Sequence, residues 1–342
     1  MPMERTSRDQ PPTGSPHLPA PRLALLDRLG EAPLLGRKLE DGAAHLLHEG
    51  DVRDLLRALA DGSVHLIITS PPYNIGKEYE SPTSLETYLE GQLGIATELA
   101  RVLHPKGSLC WQVGNFVSDG EIVPLDIPYY NIFKRLGLKL RNRVVWTFDH
   151  GLHASRRFSG RYETVLWFTK SDDYVFNLDD VRVPSKYPGK THFKPGPKYG
   201  LPSGNPKGKN PSDIWRIVAQ DWEREIWDIP NVKANHKEKT EHPCQYPIEL
   251  IQRFILALTS TGDIVLDPFA GAGSALLAAA LLGRRGYCAE ISPPYCEIVE
   301  RRFRQFVAGE LPVRKIGTPI HQPTGREKVA QRPLDWAMEN KE

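Results

Sequence analysis

Hydrophobic and polar positions along the chain follow two patterns, short apolar runs and longer stretches with helical spacing. Residues 64–69 form an apolar run of strand length that stops at two prolines, which is typical of a buried parallel strand. In the next segment apolar residues recur three and four positions apart, and Thr83 with Glu86 predicts a capping box at the start of a helix. Further strands are predicted at 108–113, 144–148, 164–168, 264–266 and 286–291, and further helices from Pro247 and over 274–282. This alternation predicts an α/β protein with a doubly wound parallel sheet.

Three stretches depart from this alternation. Residues 1–22 hold six prolines and almost no large apolar side chains, so we expect a flexible arm. Residues 182–240 are rich in proline, glycine and lysine and lack periodicity, which predicts an inserted, loop-rich module. Residues 312–342 are again polar and predict a loose tail.

Composition narrows the class of protein. Of the 342 residues, 44 are Lys or Arg and 42 are Asp or Glu, which gives a net charge of +2. These values exclude a disordered or collagen-like chain and argue against binding nucleic acid through bulk charge alone. The four cysteines form no Cys-x-x-Cys motif, so neither a disulfide framework nor a thiolate zinc site is expected. The longest apolar run has eight residues, far below the roughly 20 of a membrane span, and we expect a soluble cytoplasmic protein.

A glycine-containing turn follows the predicted strand 264–266. The segment from Asp267 to Ser274 contains Gly271 and Gly273 and opens a helix, so a ligand can lie close to the backbone at the helix start. Glu290 stands 23 residues after Asp267, at the end of the next strand, where a carboxylate can accept hydrogen bonds from ribose hydroxyls. A purely structural turn is the alternative. Leu276 occupies the third glycine position of the dinucleotide fingerprint, which argues against a pyrophosphate cofactor and an NAD dehydrogenase.

The tetrapeptide Ser-Pro-Pro-Tyr occurs twice, at 70–73 and at 292–295. The first copy ends a buried strand, where ligands bind in open parallel sheets; its alternative is a rigid turn. The second copy leads into a helical pattern, so Ser292 is expected to be a structural N-cap followed by prolines. We therefore assign chemistry to the first copy only.

These motifs resemble those of the DNA amino-methyltransferases, which modify exocyclic amines of cytosine or adenine. Residues 69–74 are similar to the family's catalytic motif and residues 267–274 to its S-adenosyl-L-methionine motif, in the order of the family's beta arrangement. Residues 50–51, 160–170 and 242–247 resemble further family segments, and the likeness spans about residues 45–310. Tyr246 departs from the pattern, since many members have lysine there.

The resemblance implies a mixed, mostly parallel seven-stranded sheet. Residues 23–181 would form the catalytic half, 182–240 the target-recognition region and 241–311 the cofactor-binding half. Ser70 and Pro71 would hold the amino hydrogens of the target while Tyr73 stacks on the flipped base. The implied catalytic residues are Ser70, Pro71, Pro72 and Tyr73. The implied cofactor-binding residues are Asp51, Asp267, Phe269, Gly271, Gly273, Ser274 and Glu290. No metal is implied. Serine at the start of the motif favours cytosine N4 as the target, with adenine N6 as the alternative.

Local charge supports a double-stranded DNA partner. Residues 134–170 hold nine basic and two acidic residues, and residues 182–239 hold twelve and six, whereas the remainder holds 23 and 34. A solvated charged face is the alternative, and the interleaved aromatics can equally form a small core. The expected DNA contacts are Arg156, Arg157, Arg161, Lys194, Lys198, Lys207 and Lys209. His242 is expected to be a packed loop histidine rather than a ligand or catalytic group.

The cellular setting and the function class leave several alternatives. We expect a nucleoid-associated monomer or homodimer without a membrane contact, working beside a cognate restriction endonuclease or alone. A non-catalytic DNA-binding regulator and a methyltransferase for RNA or a small molecule are the alternatives from other classes.

Overall fold

The computed structural model describes residues 34–73, 83–118, 120–148, 154–185, 187, 189–216, 232 and 236–314. The predicted arm, the tail beyond residue 314, Asn74, and Trp222 and Trp227 of the predicted module lie outside the described residues. Within them the strands are β1 (Leu35–Gly36), β2 (His45–Glu49), β3 (Val64–Thr69), β4 (Leu103–Val113), β5 (Asn115–Ser118), β6 (Glu121–Pro124), β7 (Lys139–Thr147), β8 (Tyr162–Thr169), β9 (Ile214–Arg216), β10 (Ile264–Asp267) and β11 (Arg285–Glu290). The α-helices are α1 (Val52–Ala58), α2 (Leu85–Val102), α3 (Asp126–Arg135), α4 (Leu178–Val181), α5 (Ile248–Leu258), α6 (Ser274–Leu281) and α7 (Pro293–Ala308).

Nine of these strands form one sheet in the order β1-β2-β11-β10-β3-β4-β8-β7-β9. Only β8 runs antiparallel to its neighbours β4 and β7, and every other pair is parallel. The predicted mostly parallel, doubly wound sheet is therefore confirmed. Its seven central strands have four or more residues, and β1 and β9 add a strand of two and one of three residues at the edges. Strands β5 and β6 form a separate hairpin.

Local sequence signals position several of these elements well, although β4 and β7 each begin five residues before the strands predicted at 108–113 and 144–148. β3 occupies the predicted residues 64–69, and α5 begins after Pro247 as expected. The predicted cap of α2 is wrong by one residue, because Ser84, not Thr83, accepts a hydrogen bond from the Thr87 amide at 3.1 Å. The Thr83 hydroxyl instead donates to the Ser84 carbonyl at 3.4 Å.

Two hydrophobic layers cover the two faces of the sheet. Helices α5, α6 and α7 pack on one face together with Leu66 and Ile68, while α1, α2 and α3 pack on the other together with Ile67. Burial on both faces explains why β3 is mostly apolar, with three consecutive apolar residues at 66–68. None of the described helices combines the length and the hydropathy needed to cross a bilayer.

The parallel strands bring distant segments to one edge. The carboxyl ends of β2, β3, β10 and β11 lead directly into residues 50–51, 70–73, 268–274 and 291–295. Ligands of open α/β sheets bind at this edge, so the candidate site is expected there.

Candidate active site

A cavity of about 220 Å³ opens at this edge of the sheet. It is lined by parts of the segments that follow β2, β3, β10 and β11, including Asp51, Ser70, Pro71, Pro72, Tyr73, Phe269, Gly271, Ser274 and Glu290. Asp267 and Gly273 are expected cofactor contacts, but they are not among its lining residues. The two predicted sites, catalytic and cofactor-binding, thus share one space.

The glycine turn between β10 and α6 is held by Glu290. The amide of Gly271 donates to Glu290 Oε2 at 2.8 Å, and the amide of Ser292 donates to Oε1 at 2.9 Å. Gly271 and Gly273 have φ of +52° and +73°, a region that favours glycine. Burial raises the pKa of the Glu290 carboxyl, while both amides act against this rise. Glu290 therefore shapes the turn and also lines the cavity.

Gly273 serves packing rather than the cavity surface. A Cβ atom at this position would lie 2.9 Å from Val299 Cγ1 of α7. Contacts this short are essentially forbidden, so the absence of a side chain lets α7 approach the start of α6.

Asp267 lies behind the cavity, with no exposed surface. Its Oδ1 accepts from Thr69 Oγ1 at 2.6 Å and from the Phe269 amide at 3.1 Å, and its Oδ2 accepts from the Tyr246 hydroxyl at 2.9 Å. Burial raises the pKa of Asp267 to about 7, against the lowering effect of these three hydrogen bonds. Asp267 consequently connects β3, the glycine turn and the segment before α5.

Asp51 occupies the rim of the cavity at the N-cap of α1. Its carboxylate accepts from the Arg53 amide at 2.8 Å and from the Arg53 guanidinium. The hydrogen bond from the Arg53 side chain lowers the pKa of Asp51 to about 2, so the carboxylate stays ionised at neutral pH, paired with the Arg53 guanidinium.

The first Ser-Pro-Pro-Tyr turn is stabilised by Tyr88 and Tyr129, which were not predicted from the sequence. Ser70 Oγ lies 2.9 Å from the hydroxyl of half-buried Tyr73. The Tyr88 hydroxyl donates to the Pro72 carbonyl at 2.5 Å and lies 2.6 Å from the Tyr129 hydroxyl. Tyr88 stands three residues after Leu85, on the apolar stripe of α2, and this position was its only signal in the sequence. Burial raises the pKa of Tyr73, so its hydroxyl stays protonated.

His242 is a packed loop residue and also lines the cavity. Its Nδ1 accepts from the Cys244 amide at 3.3 Å, and its ring meets the edge of Tyr295 with centroids 4.5 Å apart. Burial lowers the pKa of His242 to about 4, so the ring is neutral near pH 7. A Cβ on Gly271 would lie 2.9 Å from His242 Nε2, so the loop that carries His242 packs directly against the glycine turn.

The second Ser-Pro-Pro-Tyr copy stands at the start of α7, as predicted. Ser292 is the N-cap and prolines follow at the first helical positions, but the Ser292 side chain makes no capping hydrogen bond. Ser292 therefore occupies the predicted N-cap position without capping the helix through its hydroxyl. The amide of Ser292 donates to Glu290, and Tyr295 lines the cavity. The second copy therefore holds Glu290 in place and forms part of the cavity wall.

The expected DNA contacts divide into two groups. Arg156, Arg157, Lys194 and Lys198 are exposed and make no side-chain hydrogen bond or ion pair with the described part of the chain. In contrast, Lys207 donates to Asp179 at 2.6 Å, Arg161 donates to the Gly160 carbonyl at 2.9 Å, and Lys209 is half-buried and bridged to Val183 through the backbone. The Arg156–Arg157 segment precedes β8, and because β8 is antiparallel, its start lies at the same sheet edge as the cavity.

Basic charge on the first predicted span is partly neutralised within the fold. Lys139 and Arg141 both pair with Asp172, and Arg143 pairs with Asp126. The aromatics of the second span also divide, since Tyr187, Phe193 and Tyr199 are exposed whereas Trp215 is buried.

Comparison with known proteins matches residues 64–301 to the N6/N4 DNA methylase family model. The chain is 46% identical over 265 residues to the type II methyltransferase M.BglII of Bacillus subtilis, covering 77% of this chain and 69% of that protein. It is 30% identical over 265 residues to the DNA adenine methyltransferase YhdJ of Escherichia coli, covering 76% and 82%.

Solved structures show the same fold. A protein of Thermus thermophilus described as a DNA modification methylase, solved with S-adenosyl-L-methionine, has a TM-score of 0.52 at 27% identity, covering 78% of this chain and 95% of that one. PvuII DNA methyltransferase, described as cytosine-N4-specific, has a TM-score of 0.58 at 20% identity, covering 83% and 95%. This chain belongs to the N6/N4 DNA methylase family, the S-adenosyl-L-methionine-dependent enzymes that methylate amino groups of DNA bases.

Proposed function

We propose that this protein methylates the N4 amine of cytosine within a specific sequence of duplex DNA. The observation that carries the proposal is the shared cavity, in which the Ser70–Tyr73 turn faces the glycine turn and Glu290. A methyl acceptor and a methyl donor must meet within bonding distance for direct transfer. All four residues of the proposed catalytic turn line this cavity, together with five of the seven proposed cofactor-binding residues.

The cavity has the chemistry that S-adenosyl-L-methionine requires. Glu290 and Asp51 offer carboxylates to hydroxyl and amino groups, and Ser274 at the N-terminus of α6 also lines the cavity, where the helix dipole favours a carboxylate. Phe269 and the largely exposed Ile291 add apolar surface for a purine ring. When bound, S-adenosyl-L-methionine supplies an electrophilic methyl group on its sulfonium.

The catalytic turn would prepare the amine. The lone pair of an aromatic amine is delocalised into the ring, so acceptors that hold the amino hydrogens out of plane make the nitrogen more nucleophilic. Ser70 Oγ and the Pro71 carbonyl are the proposed acceptors, with the Ser70 hydroxyl oriented by Tyr73 at 2.9 Å. The Pro72 carbonyl accepts from Tyr88, and this hydrogen bond ties the turn to α2. The Tyr73 ring would stack on the flipped base.

Ser70 supports cytosine as the target base. The notable alternative is adenine N6, since a relative at 30% identity is described as a DNA adenine methyltransferase. The alternative retains the fold, the cavity and the cofactor, and differs only in the base that fits beside Ser70.

Analysis of methylated nucleosides tests this proposal. Purified protein is incubated with labelled S-adenosyl-L-methionine and duplex DNA, RNA or free nucleosides, and the products are hydrolysed and separated. We expect 4-methylcytosine from duplex DNA; 6-methyladenine alone would replace the cytosine assignment by its alternative, and absence of transfer to DNA would overturn the function. Ser70→Ala should lose the activity, whereas Ser292→Ala, the same change in the second copy, should keep it.

The same proposal also assigns the DNA contacts, a functional partner and the place where the protein acts. Residues 182–240 would recognise the target, with Lys194 and Lys198 on phosphates, while Arg156 and Arg157 would hold the backbone beside the cavity. The relative described as a type II methyltransferase supports a restriction-modification role with a cognate endonuclease. The protein would act on the nucleoid in the cytoplasm, as a monomer or homodimer.

A further inference from the structure

The buried Asp267 carboxylate joins three segments that are far apart in sequence. It accepts from Thr69 at the end of β3, from the Phe269 amide in the glycine turn and from Tyr246 before α5. All three donors are neutral, and the carboxylate has no exposed surface. A buried charge is costly unless hydrogen bonds satisfy it, so these contacts are needed to keep it ionised.

Each donor is adjacent to a part of the proposed active site. Thr69 directly precedes Ser70, and Phe269 and Tyr246 line the cavity. The Tyr246 carbonyl also accepts from Ser274 Oγ at 3.0 Å, so this segment is tied to the start of α6 as well. A movement of the Asp267 side chain would therefore displace both the catalytic turn and the cofactor-binding turn.

We propose that Asp267 is a positioning residue that fixes the catalytic turn relative to the glycine turn through the hydroxyls of Thr69 and Tyr246. The inference rests on the proposed methyl transfer and adds a requirement to it. A displacement of about 1 Å between reacting groups can cost on the order of a hundredfold in rate, so loss of either hydroxyl should slow the transfer step itself. Affinity for the cofactor should change less, because its direct contacts remain.

Ionisation of Asp267 gives a signature of this role. Protonation converts one acceptor site of the carboxylate into a donor, so at least one of the three hydrogen bonds must reverse or break. The titratable groups that face it are Tyr246, with Tyr73 next to it, and Glu290 and Cys288 on β11. With the pKa of Asp267 at about 7, the transfer rate should fall as pH falls through this value. The Thr69 and Tyr246 hydroxyls both lower that pKa, so their removal should move the acid limb of the profile to higher pH.

Paired substitutions test the proposal. Thr69→Val and Tyr246→Phe each remove one hydroxyl at nearly constant shape, Thr69→Ser retains it, and Thr97→Val removes a threonine hydroxyl that bonds only within α2. Single-turnover methyl transfer is measured across pH with saturating cofactor and DNA, so that the titration of Glu290 on cofactor binding is suppressed. Thermal unfolding midpoints show that each variant is folded.

We expect Thr69→Val and Tyr246→Phe to slow transfer roughly tenfold or more and to shift the acid limb to higher pH. Thr69→Ser and Thr97→Val should keep the rate and the profile. If the wild-type protein is active but Thr69→Val and Thr69→Ser have equal rates and equal pH profiles, the positioning role is overturned. The proposed function then remains intact. A wild-type protein without methyl transfer would overturn both.

Discussion

Tyr73 combines two proposed roles that two substitutions separate. Its ring would stack on the target base, and its hydroxyl lies 2.9 Å from Ser70 Oγ. Tyr73→Ala should lose stacking worth about 1–3 kcal/mol and bind its target about fivefold to 150-fold more weakly. Tyr73→Phe should keep this affinity and transfer the methyl group more slowly, because Ser70 loses its orienting partner. Titration of fluorescent target duplex, combined with single-turnover rates, measures both; equal affinity in the two variants would contradict the stacking role.

Cys244 offers a direct probe of the cavity. It is exposed and lines the cavity, whereas Cys110, Cys288 and Cys296 are buried. Iodoacetamide should therefore modify a single thiol of the native protein, and saturating S-adenosyl-L-methionine should slow the reaction. Mass spectrometry of tryptic peptides identifies the site, and Cys244→Ser is the control that should abolish labelling. Modification at the same rate with and without the cofactor would place the ligand elsewhere.

Sequence motifs predicted the composition of the site better than the direction of its side chains. Glu290 and Phe269, both expected cofactor contacts, line the cavity, whereas Asp267 is fully buried and bonds to Thr69. Alternation along a strand depends on register with its neighbours, and that register is not visible in a motif. Tyr88 contacts a carbonyl sixteen positions away, a tertiary contact that no local pattern encodes.

At the scale of elements, the turn into α6 depends on the missing side chain of Gly273. A Cβ there would meet Val299 Cγ1 at 2.9 Å, in a backbone with φ of +73°. Gly273→Ala should cost about 1–2 kcal/mol for the left-handed backbone and about 1–3 kcal/mol for overpacking. Gly42 has a φ of +65°, but a Cβ there would meet no atom within 4 Å. Gly42→Ala should therefore show the backbone cost alone. Chemical denaturation compares the free energies of unfolding, and equal losses would show that contact with α7 is unimportant.

Helix caps provide a second test of element stability. Ser84 caps α2 through its side chain, whereas Ser292 occupies the N-cap of α7 without a side-chain cap. Ser84→Ala should therefore lower the free energy of unfolding by about 1 kcal/mol, and Ser292→Ala by less than about 0.5 kcal/mol. Urea denaturation of both variants measures this difference. A larger loss at Ser292 would reveal a stabilising role for its hydroxyl.

Elements were predictable where their own residues determine them. β3 is an apolar run bounded by turn residues, and its limits follow from the sequence alone. The short edge strands β1 and β9 and the hairpin β5–β6 were not predicted, because two to four residues carry too little pattern to be recognised unless they are continuously apolar, as residues 264–266 of β10 are. Propensity is a weak guide in such segments.

For the whole molecule, the nearly neutral total charge conceals an uneven distribution. The two basic spans carry most of the positive excess, yet Lys139, Arg141 and Arg143 pair with acidic residues of neighbouring elements. A count of charges along the sequence could not reveal these pairs, since Asp126 and Asp172 lie outside the counted spans. Exposed cations without such partners in the described part of the chain, such as Lys194 and Lys198, are the better candidates for phosphate contacts.

The salt dependence of DNA binding distinguishes these two kinds of lysine. Each phosphate contact adds about 0.9 to the slope of log K against log salt on duplex DNA. Replacing both Lys194 and Lys198 by glutamine should therefore reduce the slope by about 2 if each contacts a phosphate, with the same preferred sequence, because phosphate contacts do not read bases. Lys139→Gln removes a lysine paired with Asp172 and should leave the slope unchanged. Binding isotherms between low and moderate salt measure the slopes. An unchanged slope in the double variant, or a reduced slope in Lys139→Gln, would show that DNA binds a different face of the molecule.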